Sequence, residues 1–178
     1  MRSEPFLRNL GALIIVAQVD WRGFVEAEIV VRQAGPEEFE RVGRLIYELL
    51  AELYPELGYE RGDCVDSART LLAGSNGVWS FLATTRDDRD VGVVMLNECS
   101  AIYAGGQFGE ISELYVAPDC RSIGVGARLI AAAAEFGRKR GWPDLEVGAP
   151  SVPVWQRTVD FYLRNGFEEV GPRLDLRL

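Results

Sequence analysis

The stretch FGEISELYVAPDCRSIGVGARL, residues 108–129, decides the fold. Its first nine residues read as a strand ending at Val116. Pro118, Arg121 and the glycines Gly124 and Gly126 follow. Val125, Leu129, Ala132, Ala133 and Phe136 then recur on one helical face. Arg138, Lys139 and Arg140 crowd the last turn of that helix, where the dipole favours cations, and Gly141 is its stop. A strand that enters a helix through bare backbone aims the unpaired amides of the first helical turn at whatever lies above them. That is an anion site. Missing Cβ atoms let a phosphate reach the backbone, and Arg121 adds positive charge at the edge.

Working outward, residues 25–34 read as a first strand. Gly35 and Pro36 open a helix in which Phe39, Val42, Leu45, Ile46, Leu49, Leu50 and Leu53 keep helical spacing until Pro55. Glu37 and Glu38 occupy its first turn. A shorter helix is expected over 63–73. Strands are expected at 78–85 and 91–103, joined as a hairpin through Arg-Asp-Asp-Arg-Asp. Beyond the central motif come a short strand at 145–149, a helix over 153–164 and closing strands at 167–170 and 174–178. Antiparallel hairpins followed by a βαβ portion predict an α/β domain, with a mixed sheet between helical layers.

The 178 residues suit one domain. With 48% hydrophobic and 26% charged residues the balance is globular. A formal charge of −8 repels phosphate backbones, so no nucleic-acid partner is expected, whereas cationic amines would be attracted. The chain has no His, which excludes Ser-His-Asp and Cys-His catalysis and His metal sites. Cys64, Cys99 and Cys120 show no C-x-x-C spacing. Neither a metal nor a disulfide framework is expected, and reduced thiols fit a cytoplasmic location. Cys120 lies inside the motif, where a thiol could be reactive, and is read as an inert small side chain. Residues 10–19, an apolar run behind Arg2 and Arg8, are too short to span a bilayer, so no membrane partner is expected. They suit a packed arm, an extra strand or a homodimer contact. Residues 1–24 are therefore set apart as an N-terminal extension from a domain over 25–178.

Three phosphate motifs compete for the glycines. A P-loop needs Gly-Lys-Ser/Thr, and no Lys is present there. A dinucleotide fingerprint needs a third small residue, and Leu129 stands in its place. Arg-x-x-Gly-x-Gly after Val-x-Pro is satisfied by Arg121, Gly124 and Gly126 behind Val116 and Pro118. This pattern resembles the acyl-CoA signature of the GNAT (general N-acetyltransferase) family. The stretch DFYLRNGFEEVG, residues 160–171, looks like the later family element in which a helix bearing Phe-Tyr ends at Gly-Phe. The order of elements from about residue 25 onward is also similar.

The resemblance implies a GNAT-like three-layer α/β/α fold with a mixed, mostly antiparallel sheet, and an N-acetyltransferase using acetyl-CoA. Its pyrophosphate would sit on Arg121, Ser122, Ile123, Gly124, Val125, Gly126 and Ala127. The pantetheine arm would enter a wedge between the strand ending at Val116 and the strand at 145–149. There it would pair with the backbone of Leu114 and Val116, and the Val116 N–H would polarise the thioester carbonyl. A non-catalytic acyl-CoA-binding module is the alternative.

Acyl transfer to an amine requires removal of a proton from the amine, a donor for the oxyanion and protonation of the leaving thiolate. Without His, carboxylates and phenols must serve. Glu110 and Glu113 lie on the strand before the loop. Three positions apart, they point to opposite faces of a regular strand, unless a bulge intervenes. Glu113 matches an acidic position common in the family and ranks first as base; Glu146 is a weaker candidate. Tyr162, four residues before Gly166, matches the family position near the CoA sulfur. A phenol pKa of about 10 against a thiol near about 8.5 makes proton transfer slightly uphill. Two departures stand out. Trp155 and Thr158 replace the Asn and Ala frequent in relatives, and Ser122 replaces a frequent Gly, where Ser is expected to accept an ordinary turn. Acceptor choice, a small-molecule or peptide amine, would fall to the first two helices and their linker, with Glu52, Tyr54, Glu56, Tyr59 and Glu60.

Overall fold

A computed structural model describes residues 29–74, 77–149 and 152–171. The arm at 10–19, the start of the strand expected at 25–34 and the strand expected at 174–178 lie outside the described residues. Five strands are present: β1 (Val30–Gln33), β2 (Val78–Thr84), β3 (Asp90–Ala101), β4 (Gly106–Val116) and β5 (Leu145–Val147). Four α-helices accompany them: α1 (Phe39–Leu53), α2 (Arg61–Leu72), α3 (Val125–Arg140) and α4 (Gln156–Arg164). The strands lie in the order β1-β2-β3-β4-β5. The first three pairings are antiparallel and β4–β5 is parallel. The parallel pair requires a crossover, which α3 supplies.

Alternation along the strands feeds two cores. Phe81, Ala83, Val94, Leu96 and Ile111 meet Val125, Leu129 and Ala133 of α3. Leu82, Val93, Met95 and Tyr115 meet Val42 and Leu45 of α1 and Ala68 and Leu72 of α2. The result is the expected α/β/α sandwich. α1 starts where the Glu38 carboxylate accepts the Gly35 N–H at 3.0 Å. It is anchored to β3 through the buried Asp90, which accepts from Arg41 Nε at 2.9 Å and from Arg44. Among the described residues no helix is long and apolar enough to cross a membrane.

Two glycines set the spacing of the α3 layer. A Cβ at Gly92 would lie 2.9 Å from the Tyr115 carbonyl oxygen and 3.0 Å from Leu129 Cδ1. At Gly109 it would lie 2.3 Å from the Trp142 ring. Trp142 thus rests flush on β4, where β5 begins to pair. Its indole N–H donates to Glu98 at 2.8 Å, and Arg140 Nε donates to the same carboxylate oxygen at 2.8 Å. Burial opposes the charge on Glu98, but these two donors outweigh it and hold its pKa below the usual range. Gly109→Ala is expected to overpack this contact, costing about 1–3 kcal/mol. In a chain of this size that is a fall of roughly 3–10 °C in Tm. Thermal unfolding followed by tryptophan fluorescence checks it, and an unchanged Tm would mean the ring has room to swing aside.

Residues 167–170, expected as a closing strand, form no ladder with the described residues. Phe167 turns inward onto Tyr162, while Glu168, Glu169 and Val170 are exposed. The strand expected to pair with them, 174–178, lies outside the described residues.

Candidate active site

The site begins where two strands part. β4 and β5 pair at Gly109–Leu145, Glu110–Glu146 and Ile111–Val147, and no further. The next residue on β4 is Ser112. Met95 of β3 faces Glu113 and Leu96 faces Ile111, so Ser112 is an extra residue, a β-bulge. From there to Val116, β4 keeps β3 as its neighbour and loses β5. The Ala117 N–H donates to the Val91 carbonyl on the β3 side at 2.9 Å. Since backbone groups alternate along a strand, those of Val116 and Leu114 point into the gap that β5 leaves. The two strands therefore part where the resemblance implies a wedge, with the backbone of Leu114 and Val116 on the side of β4 away from β3.

The bulge also corrects the disposition of the carboxylates. Glu110 opposes Asn97 and Glu113 opposes Met95, two residues of β3 with the same facing. Glu110 and Glu113 therefore share the face that α1 and α2 cover. A regular strand would have separated them; the extra Ser112 restores the alternation. Glu113 is half-buried. Burial pushes its pKa up, the neighbouring Glu110 charge adds to that, and the Ser112 hydroxyl offsets part of it. Glu146, opposite Glu110 on β5, accepts the Tyr103 hydroxyl at 3.2 Å. Tyr103, expected as the end of a strand over 91–103, lies instead in the β3–β4 turn, since the strand stops at Ala101.

The loop above the wedge is a short 3-10 turn, Pro118–Cys120, followed by four turn residues and α3. Gly124 caps α3 at φ +91°, with no side chain hydrogen-bonded to the helix end. The amides of Gly124, Val125, Gly126 and Ala127 are therefore the unpaired donors of the helix start. Gly126 has a second reason to be bare: a Cβ there would lie 2.9 Å from Phe161 Cζ of α4. Cys120 is buried, and burial followed by the Asp119 charge pushes its thiol pKa up, in keeping with an inert side chain.

Arg121 does not point over the loop. Its Nη1 and Nη2 hold both carboxylate oxygens of Glu52, at 2.9 and 2.6 Å, and its Nε donates to the Val116 carbonyl at 2.8 Å. It ties the loop to the end of α1. Of the acceptor-linker residues, Glu52 alone joins the site this way; Tyr54, Glu56, Tyr59 and Glu60 are exposed. Ser122 also departs from expectation. It sits at φ +64°, a left-handed conformation unfavourable to any residue with a Cβ. The Gly common in relatives is the unstrained choice. Ser122 Oγ accepts from Arg157 Nη2 of α4 at 2.7 Å. Ser122→Gly is expected to stabilise the chain by up to about 1 kcal/mol, the left-handed strain outweighing an exposed hydrogen bond. Denaturant unfolding checks the sign; a loss of stability would mean that the hydroxyl contact dominates.

On α4, Tyr162 is 8% exposed and packs between Phe161 and Phe167, with ring centroids at 5.4 Å from each. Burial pushes its phenol pKa up to about 12. Phe161 reaches Gly126 at the start of α3. Trp155 occupies the N-cap position of α4, its carbonyl accepting the amides of Thr158 and Val159. Arg157 was missed in the sequence. The signal available was its helical spacing, four residues before Phe161, which sets both on one face.

The sequence pattern described as Acetyltransferase (GNAT) domain matches residues 78–169. A 65-residue stretch is 40% identical to an uncharacterised N-acetyltransferase of Methanocaldococcus jannaschii, covering 35% of this chain and only 27% of that protein's length. The fold is similar to that of a ribosomal-protein-alanine N-acetyltransferase from Brucella melitensis biovar Abortus, with a TM-score of 0.68, 21% identity, and coverage of 84% of this chain and 99% of that one. It is also similar to an aminoglycoside N-acetyltransferase in complex with CoA, with a TM-score of 0.67, 20% identity, and coverage of 84% and 94%.

Proposed function

The chain belongs to the acetyltransferase (GNAT) domain family, and on that premise we propose that it moves an acetyl group from acetyl-CoA to a primary amine of a small molecule or peptide. Transfer is by direct attack in a ternary complex. The observation that carries this reading is the wedge at Ser112, which opens beside the unpaired amides of α3.

In this reading the α3 amides hold the diphosphate of the donor, and the backbone of Leu114 and Val116 aligns the pantetheine arm. The amine arrives from the α1–α2 face, where Glu110 and Glu113 attract its ammonium form. Glu113 takes the proton. Its raised pKa makes it a stronger base than an exposed Glu, narrowing the gap to an ammonium of about 10.4. The nitrogen then attacks the thioester carbon, with the Val116 N–H facing the developing oxyanion. The C–S bond breaks, the thiolate leaves, and the nitrogen gives its second proton to solvent. A Tyr162 phenol at about 12 lies roughly 3.5 pKa units above a thiol, so full proton transfer costs about 5 kcal/mol. Tyr162 therefore serves as a hydrogen-bond donor to sulfur, and solvent supplies the proton.

The test is thiol release from acetyl-CoA across a panel of small amines and peptides, with acceptors read by mass. Amine-dependent thiol release with an acetyl mass gain is expected. Binding without turnover across the panel would favour an acyl-CoA-binding module. Absence of CoA-dependent thermal stabilisation at millimolar ligand would sink both readings.

A further inference from the structure

We propose that Arg157 of α4 is a ligand for the diphosphate of the acyl-CoA donor, supplying the positive charge that Arg121 of the loop is not placed to supply. The inference rests on the acyl-CoA reading above. Three of the five N–H donors of Arg121 are engaged, two on Glu52 and one on the Val116 carbonyl. Its charge is matched by the Glu52 carboxylate. Asp119, also on the loop, is matched by Arg89. A diphosphate lowered onto the α3 amides of a chain with net charge −8 would thus meet no uncompensated cation from the loop itself.

Arg157 answers that deficit. Its Nη2 donates to Ser122 Oγ at 2.7 Å, which holds the guanidinium against the α4 side of the loop. Ser122 is its only hydrogen-bond partner among the described residues. A guanidinium carries five N–H donors in a fork that matches phosphate oxygens, so most of that capacity remains for a ligand. Orientation follows from the helix. Phe161, one turn later on the same face, reaches Gly126 at the start of α3. Arg157 and the α3 amides therefore border one space from two sides. The left-handed turn at Ser122 turns its hydroxyl to Arg157, and that one contact holds the guanidinium in place.

Titration calorimetry with CoA and with 3′-dephospho-CoA, on wild type, Arg157→Ala and Arg157→Lys, tests this. Arg157→Ala should weaken both ligands by the same factor, about 10- to 100-fold. It should also flatten the salt dependence of CoA affinity. Arg157→Lys should recover part of the loss, since it keeps the charge without the fork. Turnover of acetyl-pantetheine, which lacks the diphosphate, should be unchanged in both variants, a result that a merely structural role for Arg157 would not give. Wild-type affinity in Arg157→Ala overturns the inference and leaves the acyl-CoA reading standing. A loss for CoA alone assigns the contact to the 3′-phosphate and overturns the diphosphate assignment. Wild type that fails to bind CoA overturns both.

Discussion

Glu113→Gln is expected to fold more stably than wild type at neutral pH and to turn over about 100-fold more slowly or worse. The two effects share one cause. In the folded chain Glu113 is desolvated and sits near Glu110, so its pKa is raised above its unfolded value. Between the unfolded pKa and the higher folded one, the folded state binds more protons. Stability therefore falls as pH rises through that window, and the ionised carboxylate opposes folding above it. Gln removes the charge and the penalty together. The gain in Tm should be small near pH 4 and larger at pH 8. The wild-type rate should rise as pH passes the raised pKa of Glu113, and the variant should lack that limb. Paired melts and pH–rate profiles check both. A variant with wild-type rate would assign proton removal to Glu110 or to water.

Gly124→Val is expected to abolish CoA binding. The glycine holds φ +91°, where a β-branched residue is strained by about 1–3 kcal/mol. Its isopropyl group would also stand where the anion approaches the α3 amides. Gly124→Asn separates the two causes, because Asn tolerates left-handed backbone. It should keep near-native stability yet still bind weakly, through blocked approach alone. Thermal shift with and without CoA reads both. Retained binding in Gly124→Val would move the diphosphate away from the helix start.

Local pattern carried the elements that local pattern can carry. Phe39, Val42, Leu45 and Ile46 announce α1 by spacing, and the structure packs these four against the sheet. The loop was legible because Pro118 and Gly124 are where the backbone changes course. What stayed hidden depends on partners distant in the chain. Ser112 is a bulge only because β3 offers one residue fewer over the same span, which no reading of β4 alone reveals. Arg121 looks like a phosphate ligand until Glu52, 69 positions earlier, is brought to it. Arg157 has no motif, and its role follows from the meeting of α4 with the start of α3. The strain at Ser122 was invisible because Ser is a common turn residue whose φ must be seen.

The bulge at Ser112 makes the parity of β4 a functional quantity. On one side of it even and odd positions serve one pair of layers, and on the other side their assignments are exchanged. Straightening the strand while keeping that residue would send one of the two glutamates to the opposite layer, whereas deleting it would leave them two positions apart and on one face with no bulge needed. Chains that carry the same two carboxylates at a spacing of two or four should therefore dispense with the bulge, while those at a spacing of three should need it.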